Sequence, residues 1–178
     1  MERKLSKIYT SYNRLMVIIL TLMVVIYNSH SCKAEETITA KINSTKVIDG
    51  DSIEINKHRI RLMGIDAPEY HQYCKDKNKK KYSCGIESKQ YLINLLKDKE
   101  VVCKIHKKDQ YDRDLCTCYA DNVNINATMV KQGQALVYME SPYKAEQQEA
   151  KLNKRGIWQG KFMHPRLFRK LKETQKQN

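Results

Sequence analysis

Acidic and basic side chains suited to phosphate chemistry are concentrated in two short segments of the chain. The segment "VIDGDSIEI" contains Asp49 and Asp51, and "RLMGIDAPEY" contains Arg61, Asp66 and Glu69. Carboxylate oxygens are ligands of hard divalent cations such as calcium, guanidinium groups bind phosphate oxygens in a bidentate way, and a glutamate can act as a general base on water. Together these residue types suit the metal-assisted hydrolysis of a phosphate ester.

The same residues also suit ordinary turns, and their types alone do not decide between the two interpretations. If the strands around them form a flat meander, we expect the first turn and the end of the third strand to lie at opposite ends of the sheet. Only a strongly twisted and coiled barrel would then bring Asp51 close to Asp66.

Three β-strands are predicted before the first helix. The first runs from Ile38 to the Asp-Gly turn, the second is "SIEI" and the third is "HRIRLMGI", because apolar residues alternate with polar ones in each. Asp-Gly between two such runs is a strong hairpin signal, and Pro68 cannot continue a strand ladder. Residues 85–97 are predicted to be helical because apolar residues recur four apart.

The second half of the chain predicts two more strands and two more helices. The strands are "EVVCKIH" and "DLCTCYA". One helix ends at Gly133, and the next begins at Ser141 and Pro142 and ends at Gly156. The order of elements predicts a mainly β protein with helices (α+β), folded as a five-stranded Greek-key barrel of the OB type with three helices. An open α+β sheet is the alternative.

The composition indicates a partner that carries negative charge. The chain has 178 residues, with 33 lysines and arginines against 20 aspartates and glutamates, and its pI is about 9.4. Such a balance favours nucleic acid or a membrane surface as a partner, although a solvated basic surface is equally compatible with it. No segment resembles a motif that reads bases, which favours recognition through the backbone.

The N-terminus resembles an export signal. Four basic residues precede "LMVIILTLMVVIY", whose length suits the apolar core of a signal peptide and is short for a membrane span of roughly 20 residues. We predict that residues 1–34 are a signal peptide or a membrane signal anchor, that residues 35–163 form one domain and that residues 164–178 are a basic C-terminal tail. The protein is then secreted or periplasmic, with attachment to a membrane or lipidation at Cys32 as alternatives.

Five cysteines follow Cys32: Cys74, Cys84, Cys103, Cys116 and Cys118. In an oxidising compartment they predict disulfides and one spare thiol. Cys74 and Cys84 would close a short loop, and Cys103 and Cys118 lie on two strands that could be neighbours. The alternative is a zinc site that combines two of these cysteines with two histidines at ligand spacing. Its ligands would be His71, Cys74, Cys103 and His106.

Five segments resemble the thermonuclease family, the staphylococcal nuclease-like proteins. They are "VIDGDSIEI", "RIRLMGIDAPE", "DQYDRDL", "NATMVKQGQALVY" and "GIW", and they occur in the family's order and spacing over about residues 40–160. The resemblance implies an OB-type barrel and calcium-dependent hydrolysis of phosphodiester bonds in DNA and RNA. It also implies little sequence preference, single-stranded or frayed duplex substrates, 3′-phosphate products and a monomer without a protein partner.

The resemblance also assigns roles to acidic residues. Asp51 and Asp66 match the family's metal carboxylates, and Ala67 matches a position that binds the metal through its backbone carbonyl. Glu69 matches the residue that positions or deprotonates the attacking water. Asp49 resembles an acid that lies near the metal without binding it directly.

Two arginines and two tyrosines match the family's substrate-binding positions. Arg61 and Arg113 correspond to the pair that binds the scissile phosphate and stabilises the charge of a phosphorane-like transition state. Tyr111 and Tyr138 correspond to tyrosines that line the nucleotide pocket.

The sequence departs from the family around Arg113. Asp112 and Asp114 replace the glycines that commonly flank this arginine, and we expect these anions to pair with Arg113 and to weaken activity. Aspartate can adopt the positive φ angle that glycine adopts freely, at some energetic cost. A non-catalytic nucleic-acid-binding module on the same barrel is therefore a second hypothesis. The enzyme is favoured because non-catalytic relatives typically lose the aspartates or the glutamate that this chain keeps.

Overall fold

The computed structural model describes residues 12–23, 36–41 and 43–177. The chain divides into two compact units, Met1–Glu35 and Glu36–Asn178. In the first unit, residues 12–23 form helix α1, and the rest of the predicted signal segment lies outside the described residues. Within the described ranges, we find no helix with the length and apolarity that crossing a membrane requires.

The second unit is built around one curled, mixed sheet and two short antiparallel pairs. The strands are β1 Thr37–Ala40, β2 Thr45–Asp49, β3 Ser52–Ile55, β4 His58–Leu62, β5 Ile65–Asp66, β6 Cys74–Lys75, β7 Lys81–Tyr82, β8 Val101–Lys108, β9 Asp114–Ala120, β10 Val123–Asn124 and β11 Leu136–Val137. The main sheet has the order β1-β8-β9-β4-β3-β2, with β10 paired to β9, and the short pairs are β5 with β11 and β6 with β7. Only β4 and β9 run parallel among these pairs. This curled half-barrel confirms the predicted OB-type fold.

The second unit also contains helices. They are α2 Cys84–Leu96, α3 Ile125–Lys131, α4 Lys144–Leu152, the 3-10 helix Gly156–Gln159 and α5 Pro165–Gln177. Asn124 caps α3, since its side chain accepts a hydrogen bond from the Ala127 N–H. Helix α4 begins two residues later than predicted, because the Ser141 hydroxyl accepts the Tyr143 N–H within the preceding turn.

Two predicted segments take a different form in the structure. The predicted first strand is divided into β1, which pairs with β8, and β2, which pairs with β3. Strands β1 and β2 are consecutive in the sequence but lie at opposite edges of the main sheet. A short connection between the two edges requires the sheet to curl. The predicted basic tail, residues 164–178, is largely helix α5.

The core lies between the concave face of the sheet and helices α2 and α3. The strands contribute alternating aliphatic side chains such as Ile53, Ile55 and Ile60, and α2 and α3 add Leu92 and Met129. Each such buried side chain contributes about 1.5–3 kcal/mol relative to an exposed one. The period-two and period-four patterns in the sequence therefore mark the faces that meet here.

Both predicted disulfides are present. Cys74 is bonded to Cys84, and Cys103 is bonded to Cys118 across β8 and β9, while Cys116 is a buried free thiol. The zinc alternative is wrong for this structure, because the sulfurs of Cys74 and Cys103 are in disulfides and are not thiolates that could bind a metal.

Candidate active site

The site begins where the β2–β3 turn lies beside the end of β4. Ser52 pairs with Arg61 in the β3–β4 ladder, and the Leu62 N–H donates to the Asp51 carbonyl at 2.8 Å. Our expectation that these two points lie at opposite ends of a flat sheet was wrong. In an antiparallel meander the chain reverses twice, so the first turn and the end of the third strand share one end.

Arg61 joins the two predicted metal aspartates. Its guanidinium forms ion pairs with Asp51 and with Asp66 Oδ1, the latter at 3.2 Å. The Asp66 side chain is fully buried, and that of Arg61 is 11% exposed. Burial disfavours the charged guanidinium, but the carboxylates of Asp51 and Asp66 outweigh it and raise the pKa of Arg61. The three side chains form one buried charge network.

The backbone after β5 reinforces this network. The Ala67 N–H donates to Asp51 Oδ2 at 2.7 Å, which ties the turn before β3 to the segment after β5. The Asp51 N–H donates in turn to Asp49 Oδ1 at 3.2 Å. Burial, followed by the neighbouring Asp51 carboxylate, raises the pKa of Asp49 to about 7. Negative charge is therefore crowded at this end of the sheet.

The backbone of Glu69 is held from two sides. Its N–H donates to Gln72 Oε1 at 3.2 Å, and its carbonyl accepts the Gln72 N–H at 2.7 Å. The start of α2 packs so closely against this carbonyl that a Cβ atom on Gly85 would lie 1.8 Å from the Glu69 oxygen. Glu69 thus stands on a fixed turn with its side chain about one-third exposed.

A residue from α5, which the sequence reasoning missed, completes the site. Arg169 Nη1 donates to Glu69 Oε1 at 2.6 Å and to Asp66 Oδ1 at 3.0 Å, and Nη2 donates to Asp66 Oδ2 at 3.2 Å. Burial opposes its charge, but these hydrogen bonds prevail and raise the pKa of Arg169. The available signal was the recurrence of polar side chains three and four apart. These residues are Arg166, Arg169, Lys170 and Glu173.

Arg113 is held by an acid that the sequence reasoning did not single out. Its Nε and Nη2 lie 2.8 and 2.7 Å from Asp109 Oδ2, and its guanidinium lies 5.6 Å from the centre of the Tyr111 ring. The backbone N–H groups of Arg113 and Tyr111 also donate to Asp109 Oδ1. The turn from residue 109 to residue 113 therefore orients the guanidinium.

The two aspartates beside Arg113 are engaged elsewhere. Lys108 Nζ lies 3.0 Å from Asp112 Oδ1 and 3.2 Å from Asp114 Oδ1, and His58 contacts Asp114. Our expectation that these flanking anions pair with Arg113 was wrong, because Asp109 takes that place. Asp112 has a φ of 58° and so adopts the left-handed conformation that a glycine would adopt without strain.

A single cleft of about 1410 Å³ exposes most of these side chains. Predicted site residues that line it are Asp49, Asp51, Arg61, Glu69, Tyr111, Arg113 and Tyr138. Arg166, Arg169 and Lys170 of α5 line it as well. Direct contacts join Asp51 to Arg61 and to Ala67, and Arg61 to Asp66. The cleft that Asp51 and Arg61 line is also lined by Tyr111, Arg113 and Tyr138.

The donor chemistry of the cleft fits a hard divalent cation. Asp51, Asp66 and Glu69 offer carboxylate oxygens, which are the ligands that such cations prefer. In the part of the chain that the structure describes, no three acidic, histidine or cysteine side chains already form a metal cage. The carboxylate oxygens instead face the guanidinium groups of Arg61 and Arg169.

Comparisons with known proteins agree with this geometry. The family model described as staphylococcal nuclease homologue matches residues 59–160. The succinoglycan biosynthesis protein ExoI of Rhizobium meliloti is 36% identical over 141 residues, which cover 76% of this chain and 72% of the relative. An uncharacterized endonuclease of Haemophilus influenzae is 33% identical over 150 residues, covering 79% and 78% of the two chains. An uncharacterized endonuclease of Escherichia coli O157:H7 is 36% identical over 124 residues, covering 64% and 73%.

Proposed function

Since the chain belongs to the family of staphylococcal nuclease homologues, we propose that it is an exported, calcium-dependent nuclease. Its substrates are DNA and RNA, cut with little sequence specificity to leave 3′-phosphate ends. The observation that carries the proposal is the convergence of Asp51, Arg61, Asp66 and Glu69 at one end of a cleft. Such hydrolysis needs two aspartates, a guanidinium and a partly exposed glutamate.

The acids divide into a metal-binding group and a base. Asp51, Asp66 and the Ala67 carbonyl would hold calcium, with Asp49 supporting Asp51 from behind. When bound, calcium would polarise a phosphoryl oxygen of the substrate. Glu69 accepts or directs a proton of the attacking water, for which its rigid turn and partial exposure suit it. Water then attacks the phosphorus atom, the bond to the 5′ oxygen breaks, and this oxygen takes up a proton from solvent and leaves as a hydroxyl group.

The arginines and tyrosines act on the substrate. A guanidinium has five N–H donors, so Arg61 keeps donors for a phosphate besides those it gives to the aspartates. Arg113, oriented by Asp109, binds the same phosphate and stabilises the charge that builds on it in the transition state. Tyr111 and Tyr138 border the nucleotide from the walls of the cleft.

Export is supported by the covalent chemistry of the chain. Two disulfides are typical of proteins of the periplasm or the cell exterior, and the basic, apolar N-terminal segment suits a signal peptide or anchor. The net charge of +13 suits a polyanionic substrate bound through its phosphates.

The test is digestion of single-stranded DNA by the purified chain, with calcium and with a chelator. We expect cleavage only with calcium, and we expect Glu69→Gln to lower kcat by about 100-fold or more, because general-base catalysis supplies about 10²–10⁴ of a rate. Glu100→Gln is the matched control, since Glu100 is an exposed acid directly before β8. We expect this variant to cleave DNA like the wild type.

The competing function, a non-catalytic nucleic-acid-binding module, predicts a different result. DNA would then remain intact with calcium, yet shift on a gel equally for wild type and Glu69→Gln. That outcome would refute the catalytic proposal and its assignment of Glu69.

A further inference from the structure

Helix α5 carries a cation to Asp66, which we assign to calcium, and to Glu69, which we assign as the general base. The Arg169 guanidinium donates to both oxygens of Asp66 and to Oε1 of Glu69, at 2.6 to 3.2 Å. Asp66 is fully buried, and Arg169 is 35% exposed. The contact spans 103 residues of sequence and joins the end of the chain to the centre of the site.

These contacts and a bound calcium ion exclude each other. Calcium takes six to eight oxygen ligands at 2.3–2.6 Å, and a carboxylate oxygen that faces a guanidinium has its lone pairs directed to N–H donors. Two positive charges on the same oxygens also repel each other in a partly buried setting. The Asp66 carboxylate can therefore serve Arg169 or calcium fully, but not both.

The attachment of α5 would allow Arg169 to leave without unfolding of the domain. The segment before the helix is fixed: Gln72 Nε2 donates to the Met163 carbonyl at 2.7 Å, and Lys75 and Lys161 exchange backbone hydrogen bonds at 2.7 and 2.9 Å. Pro165 at the helix start is buried, whereas Leu167 and Leu171 are about half exposed. The helix is thus held at its first turn, with much of its surface in solvent beyond that turn.

We propose that Arg169 is an internal competitor for the calcium site and sets the calcium concentration at which the nuclease works. Without calcium, its guanidinium compensates the charge of Asp66 and Glu69 and covers the general base. Calcium displaces it and frees Glu69 for water. The inference rests on the proposed calcium-dependent function and adds a residue of α5 to it.

Calorimetric titration of the full chain with calcium tests this directly, without reference to cleavage. We expect Arg169→Gln to bind calcium on the order of tenfold more tightly, because a site that is closed most of the time shows an affinity reduced by its open fraction. Arg169→Lys should fall between the two, since one ammonium cannot reproduce the fork of donors.

Arg166→Gln is the matched control for charge. Arg166 lies on the same helix and lines the same cleft, and the ion pairs of Asp66 and Glu69 in the described part of the chain do not include it. The Arg166→Gln substitution removes the same charge but no contact with Asp66 or Glu69. Because Arg166 is exposed to solvent, salt at 0.1 M weakens its remaining electrostatic effect, and we expect a clearly smaller change in calcium affinity than for Arg169→Gln. A change as large as that of Arg169→Gln would mean a general charge effect and would overturn the competition.

Hydrogen exchange gives a second, independent readout. Calcium should speed amide exchange in α5 of the wild type and have little effect on α5 in Arg169→Gln, in which the contact is already lost. Far-UV circular dichroism would check that each variant is folded, and Arg169→Lys carries the test if Arg169→Gln is not.

The failures of the two proposals are distinguishable. If calcium binds wild type and Arg169→Gln equally and the wild type cleaves DNA with calcium, only the competition is refuted. If no chain binds calcium, the competition falls together with the proposed calcium dependence.

Discussion

At the scale of single residues, Asp66 is the acid on which the site depends. It is fully buried and lies between the guanidinium groups of Arg61 and Arg169. A buried carboxylate is tolerated only when it is paired and hydrogen-bonded. Two arginines from different elements, Arg61 of β4 and Arg169 of α5, provide this pairing for Asp66. This pairing offsets the cost of burying the Asp66 charge beside the other acids of the site.

The fold lowers the reactivity of the Cys116 thiol. Its burial, and next the nearby Asp114 carboxylate, raise the pKa of the thiol to about 12. Since the thiolate is the reactive form, we expect iodoacetamide to leave Cys116 unmodified in the native protein at pH 8 and to modify it fully in guanidinium chloride. Mass spectrometry of the two samples would measure this. Rapid alkylation of the native chain would show that the thiol is accessible.

At the scale of elements, one meander and the start of one helix position Asp51, Arg61 and Glu69. Strands β2, β3 and β4 place Asp51 beside Arg61 through their register, while the start of α2 supports the turn that holds Glu69. The geometry of the site therefore depends also on residues that have no functional side chain but that fix the backbone.

Gly85 is such a position, and it provides a prediction. A Cβ atom there would lie 1.8 Å from the Glu69 carbonyl oxygen, so Gly85→Ala must move the turn or the helix. We expect a loss of about 1–3 kcal/mol in the free energy of unfolding, as for other overpacked sites, and a lower rate of DNA cleavage. Urea titration and the cleavage assay would measure the two effects.

Ile86→Ala is the control for that substitution. Ile86 is the next residue of α2 and is 45% exposed, so its truncation should change stability less than Gly85→Ala and leave cleavage unaffected. Equal effects of the two substitutions would contradict the role given to the contact between Gly85 and Glu69.

At the scale of the whole molecule, the basic charge is the dominant feature. The net charge of +13 includes a run of lysines in the loop between Cys74 and Cys84. Proteins that neutralise nucleic-acid phosphates release counterions, so their affinity falls as salt rises, with a slope of about −0.7 per phosphate contact for single strands.

We therefore expect strong salt dependence in binding. Glu69→Gln, which should bind without cutting, ought to lose about tenfold or more in affinity for single-stranded DNA between 50 and 200 mM salt. Fluorescence anisotropy would measure it, with a peptide nucleic acid of the same sequence as the uncharged control. An affinity for DNA that does not change with salt would contradict recognition through phosphates.

The sequence by itself determined the fold class, the main strands, helix α2 and the candidate residues of the site, but it did not predict helix α5. Alternation placed the strands on either side of the turn that contains Asp51 and the strand that carries Arg61. Recurrence four apart placed α2, and the cysteine spacing agreed with both disulfides. The family segments marked Asp66 and Glu69. These signals are local, because periodicity records which face of an element is buried and turn residues record where the chain reverses.

Only the tertiary structure decided which charges meet. It joined Arg169 to Asp66 and Glu69 across about a hundred residues, and it gave Arg113 to Asp109 in place of the flanking aspartates. The spacing of charged residues in a sequence indicates which face of a helix is exposed to solvent. It does not identify the distant residue with which a charged side chain forms an ion pair. The ion pairs of Arg169 depend on the path of the whole chain, since their energy is set by distance and burial in three dimensions, whereas the pair of Arg113 with Asp109 depends on the conformation of one turn.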